Sequence, residues 1–194
     1  MDEKYITIRS RFMPINGPEV DELESLCRQN GINFQNVLYR TNGLDVQASG
    51  LQSLVTLLLS DSLIHEIAVG VAAGIASAAI WDATKKFFVA LYHHMKRNNP
   101  MNIGRSKEIS EIELQSSSAR LKIESDQVTA ETFNEAFDAF IKVSEATRCE
   151  DRPVIPIYVV INRDNNVVVM KQNDYIWKYI VPQKPTKEAD DGQT

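Results

Sequence analysis

The chain has 194 residues, 43% of them hydrophobic, with 21 Lys and Arg against 26 Asp and Glu. That length suits one domain or two small lobes with a sizeable core, and 8 Gly with 7 Pro exclude a collagen-like or wholly disordered chain. A net charge of −5 argues against a general nucleic-acid binder, which needs a basic surface to displace counterions.

The opening Met1-Asp2-Glu3-Lys4 is acidic and runs straight into Tyr5-Ile6-Thr7-Ile8. With no basic segment ahead of an apolar one, no signal peptide is read, and the expectation is a cytoplasmic protein with reduced thiols. Cys27 and Cys149 are too few and too far apart for a stapled scaffold.

Residues 4–12 alternate as a strand does. Asn16-Gly17-Pro18 breaks the run, and Pro18 suits the first turn of a helix. Val20, Leu23, Leu26 and Cys27 recur at helical spacing, and Asn30-Gly31 supplies a stop. A second strand is expected at 36–40, with the turn Asn42-Gly43 behind it.

Residues 51–95 hold 28 hydrophobic residues out of 45 and read as helix throughout. Ser60-Asp61-Ser62 marks a helix start, which divides the block into a short helix at 51–59 and a long one at 62–97. Residues 98–108 are polar, contain Pro100 and Gly104, and read as a linker.

Ile112, Leu114, Ala119, Leu121 and Ile123 alternate around Ser116-Ser117-Ser118, the pattern of a hairpin. Thr129 caps the next helix, and Phe133, Phe137, Phe140, Ile141 and Val143 form its apolar face. A second hairpin joins 154–161 to 167–170 through Arg163-Asp164-Asn165-Asn166. Strand-like sequence continues through 175–181, and 182–194 reads as a disordered tail. The organisation is thus 1–97, a linker at 98–108, a β-rich half at 109–181 and the tail. The fold class is α+β: a mostly antiparallel sheet packed by three or four helices, with one long apolar Gly/Ala-rich helix as its spine.

That helix carries the uncharged run 67–81. Fifteen residues at 1.5 Å each span about 22 Å, short of the roughly 30 Å hydrocarbon core. Gly70, Gly74 and Ala78 sit four apart, with Ala73 and Ser77 beside them, so a second backbone can approach that face closely. Trp81, Lys85 and Lys86 would be the interface anchors if the helix met a membrane.

No residue constellation proposes catalysis. His65-Glu66 opens a zincin motif, but Val69 holds the place of its second histidine. His93 and His94 are adjacent and diverge on a helix, and Cys27 has no histidine nearby in sequence. Glu111, Glu113 and Glu124 are placed on strands, facing solvent. Neither a metal nor a cofactor is expected.

The order strand, helix, strand, apolar Gly/Ala-rich helix, hairpin (Ala119-Arg120-Leu121-Lys122-Ile123-Glu124) and short helix resembles small effector-associated components of bacterial conflict systems over residues 4–145. The resemblance implies a defence-system adaptor that assembles on or near membranes and on partner effectors; the β segment 150–181 departs from that plan. The expected function is a non-catalytic interaction or assembly protein, a homo-oligomer or the partner of another protein. It would act through Gly70, Ala73, Gly74, Ser77 and Ala78 and through exposed strand edges. The alternatives are a membrane-associating effector that uses the 63–97 helix, and a small soluble enzyme whose site is unrecognised.

Overall fold

The computed structural model describes residues 3–10, 15–38, 55–73, 76–97, 112–147 and 155–181, apart from the side chains of 71–73, 76, 77, 96 and 97. The elements in chain order are β1 (Tyr5–Ser10), α1 (Pro18–Gln29), β2 (Asn33–Leu38), β3 (Val55–Leu59), α2 (Asp61–Ala73), α3 (Ala76–Arg97), β4 (Ile112–Gln115), β5 (Ala119–Ile123), α4 (Ala130–Thr147), β6 (Ile157–Ile161), β7 (Val167–Lys171) and α5 (Gln172–Tyr175). A π-helical turn, Ile176–Ile180, follows α5 directly. The seven strands form one sheet in the order β2-β1-β3-β4-β5-β6-β7.

Local chemistry places the element ends. Pro18 starts α1, where its missing N–H costs nothing. Gly31 ends it with φ 66, and Ile32 N donates to Cys27 O at 2.9 Å, the left-handed stop of a Schellman motif. Ser60 Oγ accepts from Leu63 N at 3.4 Å and from Tyr5 N at 3.0 Å, so one hydroxyl caps α2 and ties it to β1. Thr129 Oγ1 accepts from Thr132 N at 3.2 Å at the head of α4. In the β6–β7 turn, Asn162 Oδ1 accepts from Asp164 N and Asn166 N, and Asn165 takes φ 61.

Strand alternation divides the sheet into two unlike faces. The register aligns Ile8, Leu57, Leu114, Leu121 and Val159 across five strands on one face. Helices α1 to α4 pack there: α3 against α1, α2 against α4. Phe137 of α4 meets Trp81 and Phe88 of α3 edge to face, with centroids 5.6 Å apart in each pair, and stacks on Phe133. The opposite face carries Thr56, Glu113, Lys122 and Val160 in register.

The crossovers β1-α1-β2, β3-α2-α3-β4 and β5-α4-β6 each join parallel neighbours. The first moves one way across the sheet, and the other two move the opposite way. Because β3 and β4 run against β1 whereas β5 runs with it, the first two crossovers share a hand. The third reaches the same helix layer only with the opposite hand, a departure from the usual uniform right-handedness.

Four expectations are corrected. Half of the six strand pairings are parallel, so the sheet is mixed rather than mostly antiparallel. The segment expected as a short helix at 51–59 contains strand β3, because its alternate residues Val55, Leu57 and Leu59 bury against the helices while Thr56 and Leu58 face the other way. The expected 62–97 spine is two helices, α2 and α3, and no single long apolar helix is identified among the described residues. The strand expected at 175–181 is α5 and the π-helical turn, folded back onto the sheet through Tyr175. The Asn42-Gly43 turn, the linker 98–108 and the tail 182–194 lie outside the described residues. The sheet itself is continuous across both halves, since β3 pairs with β4.

Phe137 is the hub between α3 and α4. Phe137→Ala is expected to cost about 3–5 kcal/mol of unfolding free energy, read as a lower urea midpoint with an unchanged denaturant slope.

Candidate functional site

Three places gather polar or exposed groups: the second face of the sheet, a cleft at one end of it, and the β2 edge.

On the second face, Glu113 of β4 is 2% exposed. Its Oε2 lies 2.9 Å from Lys122 Nζ and its Oε1 3.5 Å from Arg120 Nη1, both on β5. The Arg120 guanidinium stands 6.0 Å from the ring of Tyr158 on β6. Tyr175 stacks on Tyr158 with centroids 4.5 Å apart, and its hydroxyl donates to Glu124 Oε1 at 2.6 Å. Burial raises the Tyr175 hydroxyl pKa far above the ordinary tyrosine value, and the Glu124 carboxylate raises it further. Burial also raises Tyr158, against the opposing pull of Arg120.

The expectation that Glu113 and Glu124 face solvent is thus overturned: Glu113 is buried between its two cations, and Glu124 is half-buried under the Tyr175 hydroxyl, while Glu111 lies outside the described residues. The signal in the sequence was Lys122 and Arg120 on one strand beside a Tyr-rich C-terminal segment. Glu113 thus meets two cations, while Arg120 Nε and the Tyr158 hydroxyl are buried with no hydrogen-bond partner among the described residues.

The cleft, of about 860 Å³, lies between the end of β5, the head of α4 and the β6–β7 turn. His93, Glu124, Asp126, Arg163 and Asp164 bring both signs of charge to it. Its hydroxyls serve the fold: Ser125 Oγ donates to Gln127 O, and Thr129 caps α4. Among the described residues, no group of three His, Cys, Asp or Glu side chains is placed to hold a metal ion.

The other candidates from the sequence fall elsewhere. His65 Nδ1 lies 2.8 Å from Glu145 Oε1, a link between α2 and α4 outside the cleft. Cys27 lies on the buried face of α1, where burial, and then Glu24, push its thiol up to about 11. It is therefore protonated, and a poor nucleophile, at neutral pH. Gly70 is buried and Ala78 half-buried; Ala73 ends α2, Ser77 lies in the first turn of α3, and Gly74 is outside the described residues. Trp81 is 3% exposed against Phe137, so the core rather than an interface holds it. Lys85 pairs with Asp82 at 2.8 Å, and Lys86 is exposed. No helix among the described residues is long and apolar enough to cross a membrane.

The β2 edge is the most open of the three places. Five of its six residues are exposed and Phe34 is half-buried. Asn33-Phe34-Gln35-Asn36-Val37-Leu38 contains no charge and no proline, and it pairs with β1 residue for residue without a bulge. Short strands, lysines, prolines and bulges are the usual guards of an edge, and β2 has none of them. The opposite edge differs: β7 ends in Lys171 and turns at once into α5.

Compared with protein-family models, with curated proteins and with solved structures, the chain shows no match.

Two expectations follow from the buried groups. Lys122→Met leaves the Glu113 carboxylate short of its nearest cation and is expected to cost about 3–5 kcal/mol. The pair Glu113→Leu with Lys122→Met is expected to recover most of that loss in the same denaturation assay. The raised Cys27 thiol makes stability fall with pH. Below 9.0 the thiol is protonated in both states; from 9.0 to about 11 it ionises in the unfolded chain alone. The fall amounts to roughly 3 kcal/mol across that window, and Cys27→Ala is expected to flatten it, whatever that variant costs at neutral pH.

Proposed function

We propose that the chain is a non-catalytic interaction and assembly module that recruits an extended strand to the edge of its sheet. The observation that carries this reading is β2, six uncharged residues open along one side. Among the described residues no strand pairs with the outer side of β2; such an edge offers backbone donors and acceptors in a row, and the partner that satisfies them in order is another strand. Val37 and Leu38, 41% and 37% exposed, add apolar surface beside those groups.

The polar groups elsewhere fit this reading. The second-face charges are matched internally, and the hydroxyls of the cleft are spent on turns and caps. The Tyr175 hydroxyl beside the Glu124 carboxylate is held protonated by burial, whereas the edge needs no side-chain chemistry to act.

The direction of the free groups can be read from the ladder. Asn33 N donates to Lys4 O of β1 at 2.9 Å. By alternation Gln35 and Val37 also bond inward, and Phe34, Asn36 and Leu38 point their N–H and C=O groups outward. The test uses dilute chain and fluorescent uncharged strand hexapeptides, read by anisotropy. Saturable binding to the wild type is expected, with new exchange protection at the amides of Phe34, Asn36 and Leu38. Asn36→Pro removes an outward amide, together with the Asn36 Nδ2 bond to Ile15 O, and spares the β1 ladder; it is expected to weaken binding by about tenfold or more. No binding to the wild type, or equal binding to both chains, removes the proposal.

A further inference from the structure

We infer that the strand taken by the β2 edge is β2 of a second copy of this chain, paired antiparallel about a two-fold axis. The inference rests on the edge reading above and names its partner.

The lack of charge on β2 favours a copy of itself, and two-fold geometry sets how the copies would meet. The strand is uncharged, so like meets like without placing equal charges opposite one another, which a strand carrying a single sign of charge could not do. A two-fold axis normal to the sheet keeps the helix-bearing faces of both copies on the same side. Residues directly opposite then share a face, which restricts the register to pairs of equal parity.

The outward-pointing groups select among those registers. Phe34, Asn36 and Leu38 are the residues whose backbone groups face the edge. Placing Asn36 opposite Asn36 of the second copy sets Phe34 opposite Leu38 on each side of the axis. Every outward residue of the strand is then in a hydrogen-bonded pair. Sliding by two, to place Gln35 on the axis, leaves Leu38 beyond the end of the partner strand. The favoured register also sets the half-buried Phe34 against Leu38, which is 37% exposed, so apolar surface that helix α1 leaves uncovered is closed twice. The product is one continuous sheet running through two chains, its outer ends formed by the two β7 strands.

An edge-to-edge contact is small, so the dimer belongs to the weak, concentration-dependent class. Sizing with light scattering up to about 0.5 mM is expected to show monomer giving way to dimer. Asn36→Pro is expected to weaken dimerisation roughly thirtyfold by removing the central hydrogen-bonded pair. Asn36→Lys, which keeps the amide but sets two cations face to face, serves if the proline variant does not fold. In a Cys149→Ser background, Asn36→Cys is expected to form an intermolecular disulfide under mild oxidation. Directly opposed residues of a hydrogen-bonded pair have Cα atoms about 5.5 Å apart, within disulfide reach. Gln35→Cys is expected to cross-link far more slowly.

A chain that remains monomeric to the top of that range overturns the inference. So does a cross-link that forms at Gln35 and not at Asn36. A monomer that still binds a strand peptide at β2 overturns the second-copy partner alone; one that binds neither overturns the edge reading with it.

Discussion

All four long helices lie on one face of a single sheet, and this one-sidedness governs the rest of the structure. A strand residue either points into the helix layer, as Leu57, Leu114 and Leu121 do, or it points to a face that no long helix among the described residues covers. The layer is held by aromatic packing between α3 and α4, centred on Phe137, and by α1 lying against α3. Such packing stabilises one side of the sheet and leaves its second face and its edges to other devices.

The second face answers with charge and aromatic stacking. Glu113, Lys122 and Arg120 sit on the paired central strands β4 and β5, and the C-terminal segment lays Tyr175 over Tyr158 beside them. Removing such charges from water costs energy, so they persist only because each meets an opposite partner at close range. A one-residue slip of β4 against β5 would turn Glu113 away from Lys122 and Arg120, so the pair opposes such a slip at the middle of the sheet. The opposite hand of the third crossover has the same origin. Reaching the common helix layer from β5 forces it, and the apolar contacts of α4 offset its cost.

The two edges are treated differently. At β7 the chain turns directly into α5, which folds over the second face. At β2 the helix layer stops short: α1 half-covers Phe34, and the rest of the strand is exposed. The proposed recruitment of a strand at that edge would depend on backbone groups and register.

Much of the local structure was legible in the sequence. Pro18 and Gly31 bracket α1, Ser60 and Thr129 cap α2 and α4, and the Phe133-Phe137-Phe140 stripe faces the core, because each of these features depends on near neighbours in the chain. Sequence could not separate strand from helix at 55–59 or 175–180. Short apolar runs fit both periods, and pairing with β1 or packing on Tyr158 decides between them. The proposed interaction site was legible only as a class, exposed strand edges, and the particular edge was not. That β2 carries no charge is written in the sequence. That it lies at the edge, with Phe34, Asn36 and Leu38 turned outward, follows from β1 pairing on its other side, and only the tertiary structure decides which strand lies beside which.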